Sequence, residues 1–485
     1  MKRNKLILVI FLAAASIAFC FLVIKSFVFK QKMNVVFIVV DSLRADHLGC
    51  YGYGRDTTPV IDKLAREGTL FRQAFSHGGY TYLSVPTLLT SLYPEAHGVV
   101  MPSREAESAY CDLKKGVITF PEIFLKNGYM TAAFGGPNFE KMPYLKRCFQ
   151  FVDIVSANDP DRSLTHDALD WLKKNRGKPF FLYLHYYDLH FPYNLGSPFL
   201  PGGKQDAKVE EFIELLNKDD IFYLPMLVMI NDWFDANQQQ RDVFLSYLLS
   251  RYDGEIRYVD YSIGAFLEGL KRLGLSGNTL VILTSDHGEE FYEHGNFLHT
   301  NKFYDELIHV PLILRMPNVI PGGKVIADVV RHIDIMPTVC DILGVGLKVP
   351  VEGVSLMSFV RNGNGPALEL YSSVAFAADF IASRISNVLK RQEGPTALLD
   401  LGAGDEKKEG QIYNELKSKA AKENILHEKV LRTQKWKLIE SYNSDGPDAE
   451  LYDLESDPQE SDNLAEKMPE LVERLKNKMM SYEVK

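Results

Sequence analysis

Cysteine is scarce in this chain, five in 485 residues, and no two stand in a C-x-x-C spacing, which argues against a zinc knuckle. Positive charge is also in deficit: 54 Lys and Arg face 63 Asp and Glu, for a formal net charge of −9. That balance gives a nucleic-acid partner no electrostatic support. An anionic substrate therefore has to be met by local charge, such as a bound cation. No internal repeat and no low-complexity tract is present. The remaining composition is ordinary for a globular protein, and the chain is long enough for one large α/β domain with an appendage. Beyond residue 32 the cysteines are Cys50, Cys111, Cys148 and Cys340. They read as buried thiols, with Cys111 and Cys148 the pair that an oxidising compartment would join.

The N-terminus stands apart. Residues 6–24 are free of charge, Lys2, Arg3 and Lys5 precede them, and Lys25, Lys30 and Lys32 follow. A run of about 20 apolar residues spans a bilayer core of roughly 30 Å. A cleaved signal peptide is the competing reading, but its apolar region is usually shorter, and no small-x-small site follows Ile24. We expect residues 1–32 to be a membrane anchor or signal. The rest of the chain is then extracytoplasmic, in a periplasm or at a cell surface.

Residues 34–40 (NVVFIVV) form a short, continuously apolar run, the pattern of a strand buried on both faces in a parallel sheet. Similar runs fall at residues 129–134, 180–185, 280–283 and 311–314, with helical patterns at 59–67, 86–92, 164–174 and 259–273. This alternation predicts a doubly wound α/β sheet, parallel or mixed, flanked by helices. We expect it to occupy residues 33–370, with a helical insertion at about 202–249. Residues 371–485 then form a small C-terminal α+β subdomain. In it, residues 435–440 and 450–455 make an antiparallel hairpin and residues 469–482 a closing helix.

In open α/β sheets ligands bind beyond the carboxyl ends of the strands. Asp41 directly follows the strand ending at Val40, Asp286 and His287 follow the strand near residues 281–283, and His190 follows the one near His185. One aspartate after a strand reads as a helix cap. Two carboxylates and an imidazole at the same edge suit a divalent cation such as Zn²⁺ or Mn²⁺.

Longer motifs make a resemblance specific. Residues 39–75 (VVDSLRADHLGCYGYGRDTTPVIDKLAREGTLFRQAF), 89–99 (LTSLYPEAHGV) and 284–299 (TSDHGEEFYEHGNFLH) resemble the sulfatase family of the alkaline phosphatase superfamily. HVPLILRMP, VVRHIDIMPTVCDIL and ELYDLESDPQESDNLA continue the match in order. The resemblance covers about residues 34–360 and 432–480. It implies an alkaline phosphatase-like fold and a metal held by Asp41, Asp286 and His287, with Zn, Mn or Ca as candidates. It also implies a nucleophile at a helix start, and His190 and His299 binding the ester or protonating the leaving group. His299 serving a second metal is the alternative.

The nucleophile departs from the family pattern. Ordinary sulfatases carry Cys-x-Pro-x-Arg, or Ser in place of Cys, and convert that residue to formylglycine. Counting back from Leu89-Thr90-Ser91-Leu92-Tyr93-Pro94 puts Thr81 there, in a window with neither Cys nor Arg. A shifted register would put Ser84 there instead. Formylglycine maturation is not expected in either register. The second acidic residue after Asp41 is replaced by Ser42, and the lysine that sulfatases place near Gly135 and Gly136 is missing. This set resembles the branch with an unmodified Thr or Ser nucleophile, in which Thr81 is itself a metal ligand.

The expected activity is metal-dependent hydrolysis of a sulfate or phosphate ester through a covalent Thr81 ester. The substrate is then an anionic glycan, lipid or small molecule. A membrane-anchored phosphotransferase acting on a lipid or glycan is the alternative, and a non-catalytic binding protein a further one. Lys302 faces an anionic substrate or solvent. His185 reads as a core residue or one behind the metal ligands, and Glu289, Glu290 and Glu293 as a solvated acidic face.

Overall fold

The structure, a computed structural model, describes residues 32–99, 112–155, 163–191, 193, 207–209, 234, 237–299, 302–375, 427–443 and 446–483. The apolar run at residues 6–24 lies outside them. Among the described residues no helix is long and apolar enough to cross a membrane. Cys50, Cys148 and Cys340 are free thiols, and Cys111 lies outside the described residues.

The central strand, β1 (Asn34–Val40), is buried at all seven positions. It is parallel to both neighbours, β5 (Phe180–Tyr186) and β6 (Thr279–Ser285). Its alternate residues feed two cores. Val36, Ile38 and Val40 pack toward the helices Pro59–Glu67, Leu164–Asn175 and Gln238–Arg272, while Val35, Phe37 and Val39 pack toward the helices Thr81–Thr90, Phe120–Lys126 and Ile335–Leu343. A strand covered on both faces has no polar side, which is why its sequence does not alternate.

The remaining strands of this sheet are β2 (Thr69–Phe75), β3 (Met130–Gly135), β4 (Phe151–Ile154), β9 (His309–Arg315) and β10 (Lys324–Arg331). The two-residue strands β7 (Glu290–Phe291) and β8 (Phe297–Leu298) pair separately. The eight-stranded order is β10-β2-β9-β6-β1-β5-β3-β4. The sheet is mixed because β9 runs antiparallel to β2 and β6.

Two expected helices shift. The pattern at residues 259–273 is the end of the 35-residue helix Gln238–Arg272, which starts inside the stretch expected as an insertion; most of that stretch lies outside the described residues. The helix expected at residues 86–92 begins at Thr81 and carries Pro86 inside it. The Tyr80 carbonyl accepts from the amides of Leu83 and Ser84, both at 3.2 Å, so the first turn closes upstream of Pro86. The proline only forgoes its own amide bond.

The C-terminal sheet has four antiparallel strands, β11 (Leu370–Ala375), β12 (His427–Arg432), β13 (Trp436–Asn443) and β14 (Gly446–Asp453); the expected hairpin is β13–β14. The helix Pro469–Glu483 packs on one face of this sheet, and Tyr80, Leu83, Phe303 and Tyr304 pack on the other. An ionic knot ties the two sheets. The wholly buried Lys437 meets Asp305 Oδ1 at 2.8 Å and Glu460 Oε1 at 2.6 Å, and Arg432 meets Asp305 Oδ2 at 3.3 Å.

Candidate active site

Asp41 and Asp286 stand side by side because β1 and β6 end in register, Val40 opposite Ser285. Ser285 Oγ donates to the Val40 carbonyl at 2.6 Å and accepts from the Leu43 amide at 2.9 Å, which fastens the two strand ends together. The chain then turns sharply. Ser42 adopts a left-handed conformation with φ 57°, and its amide donates to Asp286 Oδ1 at 3.3 Å. Its hydroxyl donates to Asp41 Oδ1 at 2.9 Å. Gly288 is required by close approach, since a Cβ there would collide with the Glu306 carbonyl.

Thr81, the first residue of its helix, enters from the side. Its Oγ1 lies 3.3 Å from Asp41 Oδ2 and 3.2 Å from His287 Nε2. His287 Nδ1 donates to the Gly288 carbonyl at 2.8 Å, which leaves Nε2 free to act as a ligand. Ser84 turns away and donates to the Gly78 carbonyl at 2.9 Å, with Ser76 Oγ also 2.9 Å away.

The electrostatics are those of a cation site. Burial works to raise Asp41, but its hydrogen bond with His185 and the charge of His287 hold it well below the usual carboxylate range. Asp286 is pushed up by burial and by the charge of Asp41. His287 is pushed down to about 3 by burial and by His299. Asp286 Oδ2 is buried without a hydrogen-bond partner among the described residues. Asp41, Asp286 and His287 present ligand atoms that all lie within 4.8 Å of one another. Two buried carboxylates, one with an oxygen unsatisfied, plus an imidazole with a free nitrogen fit a divalent metal ion.

Around these groups lie three further histidines. His185 is wholly buried, with Nε2 3.4 Å from Asp41 Oδ2 and 3.7 Å from Asp286 Oδ2. It therefore stands directly behind the carboxylates, the second of the two positions its sequence allowed. His299 packs on His287 with ring centroids 4.7 Å apart, and on His190 at 5.2 Å. The Glu289 carboxylate holds His299 Nδ1 at 3.0 Å.

The acidic loop does not form the solvated face expected of it. Glu289 and Glu290 are fully buried, and Glu293 pairs with Arg44 at 2.5 Å. Each has a partner: His299 for Glu289, the amides of His294 and Asn296 for Glu290, and Arg44 for Glu293. Lys302 meets the buried Glu428 of β12 at 3.3 Å, so its charge is engaged with the C-terminal sheet. The one feature that would have marked Glu289 in the sequence is its place two residues after His287.

An α/β sheet with helices on both faces and a carboxylate–imidazole cluster that could hold a metal ion at its carboxyl edge defines an alkaline phosphatase-like hydrolase fold. Comparison with known proteins narrows this. The sulfatase family profile matches residues 33–345, and that of the N-sulphoglucosamine sulphohydrolase C-terminal region matches residues 367–485. The chain belongs to the sulfatase family, and is a sulfuric ester hydrolase by that membership.

Among its relatives is the N-acetylglucosamine-6-O-sulfatase of Bacteroides thetaiotaomicron, 24% identical over 99% of this chain and 92% of that protein. The human iduronate 2-sulfatase is 27% identical over 59% of this chain and 60% of that protein. Two solved structures share the fold. The phosphonate monoester hydrolase of Agrobacterium radiobacter has a TM-score of 0.65 and 21% identity, covering 93% of this chain and 96% of that one. A protein solved with its substrate D-glucosamine-2-N,6-O-disulfate has a TM-score of 0.64 and 20% identity, covering 93% and 99%.

Proposed function

We propose that this chain is a metal-dependent hydrolase of sulfate esters that acts through the unmodified hydroxyl of Thr81, with sulfated glycans as its substrate class. One observation carries the reading: Thr81 Oγ1, at the start of its helix, is 3.2 Å from His287 Nε2 and 3.3 Å from Asp41 Oδ2. The competing Ser84 hydroxyl is occupied with backbone and with Ser76. The glycan class is supported by the relatives and by the substrate bound in the second solved structure.

In this reading Asp41, Asp286, His287 and Thr81 would hold the ion. A divalent cation there would lower the cost of forming the Thr81 alkoxide and of charge on the ester oxygens. The Thr81 hydroxyl releases its proton to solvent, its Oγ attacks the sulfur, and the bond from sulfur to the leaving-group oxygen breaks. His299, fixed by Glu289, gives that oxygen its proton. The positive end of the Thr81 helix faces the developing anion. Water then attacks the sulfur of the Thr81 ester and the bond from sulfur to Oγ breaks; one water proton restores the Thr81 hydroxyl, the other returns to His299, and sulfate departs. His190, stacked on Tyr187 beside His299, lines the ester pocket.

A phosphoester substrate is the second reading. It is favoured by the loss of the lysine near Gly135 and Gly136 together with the unmodified threonine. Transfer to an acceptor alcohol has no observation in its favour among the described residues. The support for a membrane tether through residues 6–24, with an extracytoplasmic catalytic part, is the sequence alone. Fractionation and an alkaline wash of membranes would test it.

The deciding assay compares an aryl sulfate, an aryl phosphodiester and an aryl phosphate monoester with and without Mn²⁺, Zn²⁺ or Ca²⁺. Metal-dependent release from the sulfate supports the first reading, release from a phosphoester alone the second, and metal-independent release contradicts both.

A further inference from the structure

The amino edge of the main sheet carries charge of one sign. Four chain segments meet there: residues 32–33 before β1, 124–129 before β3, 171–179 before β5 and 269–278 before β6. β1 is parallel to β5 and β6, and β5 to β3, so all four enter at the edge opposite Asp41 and Asp286. Hydrogen bonds gather them. Lys32 Nζ donates to the Asn127 carbonyl at 2.6 Å, Asn278 Nδ2 donates to the Lys32 carbonyl at 3.2 Å, and the Met130 amide donates to the Pro179 carbonyl at 2.9 Å.

In a chain with a net charge of −9, these segments hold eight Lys and Arg and no Asp or Glu. Lys173, Lys174, Arg176 and Lys178 stand on one segment, and Lys271 and Arg272 on another. With Lys32 and Lys126, all eight side chains are exposed. Their ion pairs among the described residues are Lys173 with Asp170 at 2.7 Å and, more loosely, Lys271 with Glu268 at 3.9 Å. A cation in the last turn of a helix complements its dipole, which accounts for Lys126 and Lys271. Lys32 and Lys178 belong to no helix. Like charges crowded on one face repel, and an anionic partner relieves that repulsion. Two apolar side chains lie exposed at the same edge, Leu125 and, in the turn between β9 and β10, Val319.

The sequence before β1 points to the partner. The uncharged run of residues 6–24 ends eight residues before Lys32, a stretch that reaches at most roughly 28 Å when fully extended. A tether made of that run keeps this face next to the bilayer it enters, and a cationic face beside a bilayer attracts anionic headgroups.

We propose that the amino edge of the main sheet is a docking face for an anionic bilayer surface, and that docking turns the carboxyl edge, with Asp41 and Asp286, away from the membrane. The seven residues of β1 separate the two edges by about 23 Å. The esters within reach are then carried by molecules beyond the bilayer rather than by the lipids beneath the face. The choice of partner rests on the tether proposed above; the charge of the face does not.

The test reconstitutes the full chain in lipid nanodiscs of phosphatidylcholine alone or with phosphatidylglycerol, and labels lysines with a water-soluble acylating reagent read by mass spectrometry. With the anionic lipid, labelling of Lys126, Lys174 and Lys178 should slow about tenfold at low salt and recover at about 0.5 M salt, where charges are screened within about 4 Å. Lys467, in the C-terminal region, should label alike in both discs. Arg176→Glu/Lys178→Glu/Arg272→Glu should remove the protection of Lys126 and Lys174 while leaving the melting temperature and the turnover of a soluble aryl ester near wild type, because none of the three touches the site. Equal labelling in the two discs, or protection unchanged in the triple variant, would overturn the proposal. So would protection by dissolved dextran sulfate but not by anionic discs, which would make the face a holder of sulfated polysaccharide. A chain that elutes apart from phosphatidylcholine discs counts against the tether alone. Flotation with phosphatidylglycerol vesicles then decides the face: flotation lost in the triple variant supports it, and no flotation of wild type overturns it.

Discussion

Glu289, fully buried, holds His299 through its Oε1 at 3.0 Å while its Oε2 accepts from the Tyr193 hydroxyl at 2.9 Å. A carboxylate pinned at both oxygens fixes the ring it bonds, so His299 presents the same nitrogen to the pocket. If that nitrogen protonates the leaving group, its importance grows with the basicity of the group expelled. Glu289→Gln should therefore lower kcat by about a hundredfold on an alkyl ester, within the usual range for general acids. On a nitrophenyl ester, whose leaving group needs no proton, the loss should be small. Equal losses on both would remove His299 from the acid role.

The proposed metal centre makes a separate prediction. Chelation should abolish turnover, and a divalent ion added back should restore it together with a rise in melting temperature, because an ion that binds only the folded state stabilises it. Asp286→Ala should lose both effects. A melting temperature that rises equally with metal in wild type and Asp286→Ala would place the ion elsewhere.

A third expectation concerns pH. His294 Nδ1 meets Glu306 Oε1 at 2.5 Å, and the ring lies flat on Tyr304, 3.7 Å away. Burial opposes its charge, but Glu306 outweighs it and raises the imidazole from 6.5 to about 9. The folded value lies above the unfolded one, so this stabilisation is complete below pH 6.5 and lost as pH rises through 9. Its size is on the order of 2 kcal/mol. Denaturant midpoints of wild type and His294→Gln should differ at pH 6 and converge above pH 9. A gap that is constant with pH would mean that the ring contributes packing alone.

The knot at Lys437 couples the C-terminal sheet to the loop that carries His299. Lys437→Ala strands Glu460 in the interior, while Asp305 keeps Arg432, and should cost about 3–5 kcal/mol, whereas exchanging Lys437 and Glu460 together for apolar residues would cost far less. Urea denaturation of the single variant beside a Lys437→Met/Glu460→Leu double variant, which leaves the Arg432–Asp305 pair in place, separates the two. Equal destabilisation would show that packing, not the stranded charge, sets the penalty.

The parts of the site that were legible share one property: each follows an apolar run. β1 was readable to the residue because burial on both faces leaves an unbroken VVFIVV, and Asp41, Asp286 and His287 followed from strand ends. His185 was legible only as a core residue or one behind the ligands, because inside a buried strand a histidine opposite Val39 carries no mark distinguishing the site face from the core. The acidic loop misled for a related reason. Three glutamates in five residues look solvated until Arg44, His299 and the loop amides arrive from elsewhere in the fold. The helix start was hidden by Pro86, which normally marks a first turn and here sits within the helix. β10 escaped notice because half of its residues face solvent or lie near it.

The two hydroxyls that compete for the nucleophile make the sharpest comparison. Thr81→Ala removes the only side-chain oxygen among the described residues that touches both Asp41 and His287, and turnover should fall by about a thousandfold or more. Thr81→Ser keeps the oxygen and should keep measurable activity. Ser84→Ala loses buried bonds to Gly78 and Ser76, so it should cost about 1 kcal/mol of stability while leaving kcat near wild type. Mass spectrometry of the peptide spanning residues 73–104 should give the unmodified mass, because threonine lacks the primary alcohol or thiol from which the family's aldehyde is made. An altered mass at Ser84, with activity lost in Ser84→Ala and retained in Thr81→Ala, would move the nucleophile by one helical turn and restore the ordinary chemistry of the family.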